Sequence, residues 1–140
     1  KSRSRGLGDV YKRQIKYLMK LILIRGLPGS GKSTKAKTYD ALHVEADMYY
    51  VNEQGDYHFD PRQLQQAHEW CQNTAENGLK QGLDVVVSNT FIKHWEMKAY
   101  RQLARKYKAD LSIEVCREQF GSIHDIEPSV IKRMAKDWQE

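Results

Sequence analysis

The sequence predicts an α/β fold, in which a parallel sheet of about four strands is covered by helices on both faces. Apolar runs of strand length alternate along the chain with longer segments of helical spacing, as in strand–helix–strand units. The first apolar run leads into a glycine-rich loop and then into a helical segment. The run "DVVVSN" (84–89) is apolar on both faces, which is typical of a strand buried inside a parallel sheet.

A local sequence pattern predicts each strand and each helix. The predicted strands are "YLMKLILIRG" (17–26), "ALHVEAD" (41–47), "DVVVSN" (84–89) and "ADLSIEVC" (109–116). The predicted helices cover 32–39, 61–81, 94–107 and 129–138. Asp60 and Pro61 form a helix start, and Gly82 follows a helix end. Helical spacing places Leu64 and Trp95 on the inward faces of their helices.

Ligands of such a sheet bind beyond the carboxyl ends of its strands, so the functional site is expected there. The predicted strand ends are Gly26, Asp47, 88–90 and Arg117. Candidate functional residues are therefore expected at these four points.

Length, charge and hydropathy narrow the class of protein. The 140 residues suit one domain, predicted over 18–140. Residues 1–20 hold seven of the 23 Lys and Arg residues but one of the 18 acidic residues, so the rest is nearly neutral. Residues 1–17 are interpreted as a disordered or non-native basic extension, with a nucleic-acid-binding arm as the alternative. No apolar run approaches the roughly 20 residues that span a bilayer, and the two distant cysteines favour a reduced, cytoplasmic protein, expected to be monomeric.

The segment "GLPGSGKST" matches the full phosphate-loop pattern G-x-x-x-x-G-K-[ST] between a predicted strand and a predicted helix. The backbone amides of such a loop surround the phosphates of a nucleotide. Lys32 is expected to contact the β- and γ-phosphates of ATP, and the Ser33 hydroxyl is expected to bind Mg²⁺. The expected ATP-binding residues are Gly26, Pro28, Gly29, Ser30, Gly31, Lys32, Ser33 and Thr34.

Further motifs give the loop a family context. Together with the loop, "ADMYY", "AHEWCQN", "VVVSNTF" and "WEM" resemble the polynucleotide-kinase-like group of P-loop proteins, which includes small AAA-type ATP-binding domains. The resemblance spans roughly residues 20–138. It implies a three-layer P-loop NTPase fold with strand order 2-3-1-4 and a lid after the fourth strand.

The resemblance also implies a catalytic residue. It places Asp47 at the general-base position, and the predicted location of Asp47 at the sheet edge agrees with that role. A turn or helix-cap aspartate without chemistry is the alternative. Asp47 is also predicted to bind the metal together with Ser33. Glu45 would point to the same side if the strand continued, so it is a second candidate.

An arginine is expected to close over the leaving phosphates. The candidates are Arg117, directly after the fourth strand, and Arg133 in the last helix. No arginine is found within the lid-like segment "FGSIHDIEP" (120–128) itself.

The chain departs from the family pattern at the acceptor side. Ser88 and Asn89 occupy positions where the resemblance leads us to expect an aspartate, and they could bind the metal weakly or hold its waters. Phe91 replaces a common asparagine, and Tyr50 replaces the substrate-binding arginine of polynucleotide kinases. The aromatic residues that follow Asp47 could stack on a base or pack beneath a long loop. They are Tyr49, Tyr50, Tyr57 and Phe59.

These patterns predict an ATP-dependent kinase that uses Mg²⁺ and a hydroxyl acceptor. The acceptor stays open among polynucleotide, nucleoside, sugar and protein hydroxyls. An ATP-binding or ATPase switch with little kinase activity is the alternative, because the third predicted strand lacks an aspartate. A nucleic-acid-binding module, which would depend on residues 1–17, is a third possibility.

Overall fold

The computed structural model describes residues 19–121 and 126–140, so the predicted basic extension, 1–17, lies outside the described residues. The strands are β1 (Lys20–Gly26), β2 (Leu42–Val44), β3 (Val85–Ser88) and β4 (Asp110–Cys116). The α-helices are α1 (Lys32–Ala36), α2 (Leu64–Lys80), α3 (Lys98–Tyr107) and α4 (Pro128–Asp137). Short 3-10 helices cover Ala46–Tyr50, Pro61–Gln63 and His94–Met97.

The four strands form one parallel sheet in the order β2-β3-β1-β4. Strands that follow each other in the chain are joined by crossings over the faces of this sheet, which is why helices cover it. The predicted fold class, strand number and strand order are confirmed.

The sheet has a larger and a smaller apolar face, because successive strand residues point to opposite sides. The larger core contains side chains from β1, β3, α2 and α3, among them Leu21, Leu23, Val85, Val87, Cys71, Leu79 and Tyr100. The smaller cluster lies beside α1 and contains Ile22, Ile24, Val86 and Ala36. The residues that alternate with the larger core therefore point toward α1.

Strand register brings specific residues together at the carboxyl edge. Ile24 of β1 pairs with Ser88, and Val44 of β2 pairs with Val87. Gly26 pairs with Cys116 of β4. Glu45, which follows Val44, therefore lies beside Ser88, and both side chains are on the α1 face.

Several predicted boundaries and orientations differ from the structure. β2 ends at Val44 rather than Asp47, and α1 ends at Ala36 rather than residue 39. Trp95 is 74% exposed and not inward, because it lies in a 3-10 turn before α3 begins. Leu64 is also exposed rather than buried, since it is the first residue of α2.

No helix within 19–121 or 126–140 is long and apolar enough to cross a bilayer. Cys71 and Cys116 are both free thiols.

Candidate functional site

The phosphate-loop residues, 26–34, connect β1 to the first turn of α1. Gly29 and Gly31 have φ angles of 81° and 88°, which lie in the left-handed region that glycine favours. At Gly26 the constraint is space, because an added Cβ would lie 2.4 Å from Ser30 Oγ and 2.6 Å from the Cys116 carbonyl oxygen. Backbone conformation thus requires two of the loop glycines, and packing requires the third.

Lys32 lies across this loop. Its ammonium donates a hydrogen bond to the carbonyl oxygen of Leu27 at 3.0 Å. Burial lowers the pKa of Lys32, and the carboxylates of Glu45 and Asp47 act in the opposite direction. The loop lysine and both candidate carboxylates are therefore close enough to interact electrostatically.

The Glu45 carboxylate is the centre of a polar cluster beside the loop. It accepts hydrogen bonds from the hydroxyls of Ser33 and Ser88, the latter at 2.8 Å. His43 Nε2 lies 3.0 Å from the same carboxylate oxygen and 2.8 Å from Ser88 Oγ. Burial raises the pKa of Glu45, but these hydrogen bonds outweigh burial and hold the pKa at about 2. The carboxylate is therefore ionised at neutral pH.

The donor atoms of this cluster fit a magnesium ion. Two hydroxyl oxygens and one carboxylate lie together, and Mg²⁺ prefers hard oxygen ligands, with one or two carboxylates alongside substrate phosphates. Ser33 belongs to the phosphate loop, so any metal it holds would be next to the phosphates. Its carboxylate neighbour in the structure is Glu45. Metal binding by Asp47 stays a prediction.

Asp47 lies in the first turn of the 3-10 helix Ala46–Tyr50, beyond the end of β2. The Tyr57 hydroxyl donates a hydrogen bond to the Asp47 carboxylate at 3.3 Å. Burial and then the Asp47 charge raise the pKa of Tyr57 to about 12, so this phenol is a hydrogen-bond donor at neutral pH. Because the strand ends before it, Asp47 faces the aromatic segment, whereas Glu45 faces Ser33.

The two polar residues at the end of β3 have different partners. Ser88 contacts Glu45, as described above. The side-chain carbonyl of Asn89 accepts a hydrogen bond from the Ala46 amide at 2.9 Å, and its amide nitrogen lies 3.6 Å from Cys71 Sγ. Asn89 therefore fixes the start of the turn that carries Asp47.

Arg117 directly follows β4, at the edge of the sheet that holds the loop. Its guanidinium pairs with both carboxylate oxygens of Glu140, at 2.6 and 2.7 Å. Arg133, the other predicted arginine, is exposed on α4. Phe120 contacts the loop directly, because its amide donates to the Gly29 carbonyl oxygen at 2.7 Å.

The aromatic residues after Asp47 pack mainly on one another. Tyr50 is 5% exposed and makes edge contacts with Tyr49, Tyr57 and Phe59. Phe59 is half exposed at the rim of this group. Packing beneath the loop accounts for Tyr50, and Phe59 keeps an accessible ring.

With this geometry in view, comparison with known proteins identifies the family. Residues 21–119 match the AAA domain family over most of the chain. The chain belongs to the AAA domain family. It is 36% identical over 110 residues to human NEDD4-binding protein 2, a match that covers 73% of this chain and 6% of that protein.

Two solved structures share the fold of this AAA domain. A chain of the Pnkp1/Rnl/Hen1 complex has a TM-score of 0.59 and 23% identity, covering 84% of this chain and 39% of that chain. The APS kinase CysC of Mycobacterium tuberculosis has a TM-score of 0.55 and 18% identity, covering 85% and 93% of the two chains. At these identities the likeness shows the fold, which is that of the P-loop kinases. The predicted kinase-like P-loop resemblance is confirmed.

One structural residue of this AAA domain belongs to no sequence motif. Arg25, one residue before the loop, is 3% exposed, and two of its guanidinium nitrogens donate hydrogen bonds to the carbonyl oxygen of Phe91, at 2.8 and 3.0 Å. Its guanidinium also lies 4.0 Å from the ring centroid of Trp138. Arg25 therefore fixes the segment that follows β3. An isolated charge at the end of an otherwise apolar strand was the available signal.

Proposed function

We propose that this protein is an ATP-dependent phosphotransferase that moves the γ-phosphoryl group of ATP to a hydroxyl acceptor. The observation that carries the proposal is the position of Asp47. This carboxylate lies at the same sheet edge as the phosphate loop, near enough for its charge to oppose the lowering of the Lys32 pKa by burial. The kinase-like fold of the structural neighbours supports nucleotide-dependent phosphotransfer in general.

The phosphate loop would hold the nucleotide. The left-handed glycines shape a backbone whose amides can surround the phosphates, and Lys32 adds a positive charge to this cradle. Lys32 would exchange its hydrogen bond to Leu27 for bonds to phosphate oxygens. Hydrogen bonds to charged groups are the stronger kind, which favours this exchange.

Asp47 would act on the acceptor. The acceptor oxygen forms a bond to the γ-phosphorus as the bond between that phosphorus and the bridging oxygen of ADP breaks. Asp47 takes the proton of the acceptor hydroxyl, and ADP leaves with the bonding electron pair. The Tyr57 hydroxyl orients the Asp47 carboxylate through its hydrogen bond.

Magnesium, when bound with the triphosphate, would offset the negative charge that develops on the phosphates. Ser33 is the proposed loop ligand of this ion, and an acidic residue after β2 accompanies it. Arg117 is the proposed arginine on the leaving-phosphate side, where it would exchange Glu140 for a phosphate oxygen.

A transfer assay tests this function. Protein is incubated with Mg²⁺ and ATP labelled at the γ-phosphate, together with 5′-hydroxyl oligonucleotides or a panel of nucleosides and sugars. Transfer of label to one class supports the proposal and names the acceptor. Tight ATP binding with no transfer, or with ADP formation alone, would instead favour an ATP-dependent switch. The observation that favours this second candidate is the uncharged end of β3, where Ser88 replaces the expected aspartate.

A further inference from the structure

The carboxylate of Glu45 has an unusual set of contacts for a residue at the end of a short strand. Its side chain is 16% exposed, and a single carboxylate oxygen accepts from Ser33 and Ser88 and lies 3.0 Å from His43 Nε2. Burying a carboxylate is unfavourable unless it is paired and hydrogen-bonded. Three polar neighbours that converge on one oxygen thus hold a charge at a fixed point.

Strand register explains how this point is fixed. Val44 pairs with Val87, so the residues that follow them, Glu45 directly after β2 and Ser88 in β3, are neighbours on the α1 face. His43 is two residues before Glu45 and points to the same face. Ser33 is in the first turn of α1, above that face. The position of the charge is therefore set by strand register together with the first turn of α1.

A magnesium ion at a phosphate loop generally has two protein partners. One is the loop serine or threonine, and the other is an aspartate at the tip of a neighbouring strand. In this chain the tip of β3, the neighbour of β1, carries Ser88, which has no charge. The carboxylate that contacts the loop serine comes from the next strand outward, β2.

We infer that Glu45 supplies the acidic partner of the magnesium site from β2, and that Ser88 orients Glu45 in place of carrying the charge itself. The inference rests on the proposed nucleotide binding and names the residues that couple it to the metal. Asp47 is then left to serve the acceptor. One carboxylate does not have to perform both tasks.

A purely structural role for Glu45 makes a different prediction. If the carboxylate only joined β2 to β3 and α1, its loss would weaken ATP binding equally with and without Mg²⁺. If it serves the metal, its loss removes the benefit of Mg²⁺ alone. Removing a negative charge near the triphosphate would even improve metal-free binding slightly.

The test measures ATP affinity by calorimetry in Mg²⁺ and in EDTA for wild type, Glu45→Gln and the control Glu53→Gln. Glu53 is an exposed glutamate in the loop after the 3-10 helix. We expect Glu45→Gln to lose at least about tenfold in affinity in Mg²⁺, the scale seen when groups supporting a metal are removed. In EDTA its affinity should equal or exceed that of wild type, and Glu53→Gln should match wild type in both buffers.

A double variant that moves the carboxylate to the neighbouring strand provides a second test. Glu45→Gln combined with Ser88→Asp moves the carboxylate from β2 to β3, and we expect it to recover most of the lost Mg²⁺ dependence. Electron paramagnetic resonance with Mn²⁺ in place of Mg²⁺ gives a readout independent of turnover. Mn²⁺ binding to the ATP complex should weaken in Glu45→Gln and return in the double variant.

Defined outcomes overturn the inference. Equal Mg²⁺ dependence in wild type and Glu45→Gln would show that Glu45 does not serve the metal, while the proposed function would stand. Failure of wild type to bind ATP in either buffer would remove the proposed function and this inference with it. Should Glu45→Gln not fold, Glu45→Asp keeps the charge on a shorter side chain. Its Mg²⁺ dependence must then fall below that of wild type, and an unchanged value would contradict the inference.

Discussion

The two halves of the candidate site are built from different parts of the fold. The nucleotide half consists of residues 26–34, Glu45 and Ser88, which lie at strand ends or directly follow them. The proposed acceptor half consists of Asp47 and the aromatic side chains beside it, Tyr57 and Phe59, which are on the segment between a 3-10 helix and the start of the next helix. Sheet register fixes the first half, whereas aromatic packing and a 3.3 Å hydrogen bond support the second.

This difference explains why nucleotide binding is easier to assign than the acceptor. A phosphate group is recognised by backbone amides and one lysine, which a short motif specifies. The proposed acceptor contacts are side chains on a segment outside the regular helices and strands, which no short motif specifies. Changes to the two halves should therefore separate binding from transfer.

The largest expected effect is on the acceptor half. Asp47→Asn removes the proton acceptor but keeps the size of the side chain, so transfer should slow by about 10²- to 10⁴-fold. ATP affinity should stay within about twofold of wild type, because the loop and Glu45 are unchanged. Rates of label transfer and calorimetric titrations measure the two quantities. Asp56→Asn, an exposed change in the same segment, is the matched control. Transfer at the full wild-type rate in Asp47→Asn would exclude the proposed base.

The next expected effect is a pH dependence of protein stability that comes from Glu45 in the nucleotide half. The pKa of Glu45 is about 2 in the folded protein, against an ordinary value of 4.5. A lowered carboxyl pKa stabilises the fold fully above the ordinary value, and that stability is lost as pH falls from 4.5 toward 2. The pH-dependent part amounts to roughly 3 kcal/mol. Urea unfolding without nucleotide should show wild type and Glu45→Gln differing by a constant amount above about pH 5.5. The gap should shrink below pH 4.5, and a gap that stayed constant down to pH 3 would contradict the cluster.

Alanine substitutions at Gly26 and Gly55 should affect ATP affinity differently, because one glycine is in the phosphate loop and the other is not. Gly26→Ala forces a Cβ to within 2.6 Å of the Cys116 carbonyl oxygen, so we expect a loss of about 1–3 kcal/mol in stability and weaker ATP binding. Gly55→Ala, on the segment of the acceptor half, meets no neighbouring atom within 4 Å but has a φ of 86°. It should lower stability through backbone strain and leave ATP affinity unchanged. Thermal unfolding measures the stability of both variants, and calorimetry measures their ATP affinity. Equal loss of ATP affinity in the two variants would contradict the division of the site into two halves.

Much of the fold was predictable because its signals are local. Continuous apolar runs indicated buried parallel strands, and the glycine loop indicated the phosphate cradle, while the strand order followed from the resemblance. The contacts of Glu45 could not be predicted, because the sequence does not show that β2 ends at Val44. That early end separates the directions of Glu45 and Asp47. The pairing of Val44 with Val87, which brings Glu45 to Ser88, is a long-range property that no local pattern encodes.

The predicted inward orientation of Trp95 is wrong for a related reason. The prediction assumes α-helical spacing from residue 94, but residues 94–97 form a 3-10 turn with a different rotation per residue. The buried residues of that segment are Met97, Tyr100 and Ala104. No breaker residue in the sequence marks the change.

The most direct test of the account is calorimetric titration of wild type, Lys32→Ala and the exposed control Lys37→Ala with ATP in Mg²⁺. Lys32→Ala removes the ammonium of the phosphate loop, which amounts to roughly 3 kcal/mol or a 100-fold loss of affinity. If ATP binds at this loop, Lys32→Ala will show that loss and Lys37→Ala will bind ATP with wild-type affinity. Unchanged ATP affinity in Lys32→Ala would contradict nucleotide binding at this loop, and the proposed phosphotransfer with it.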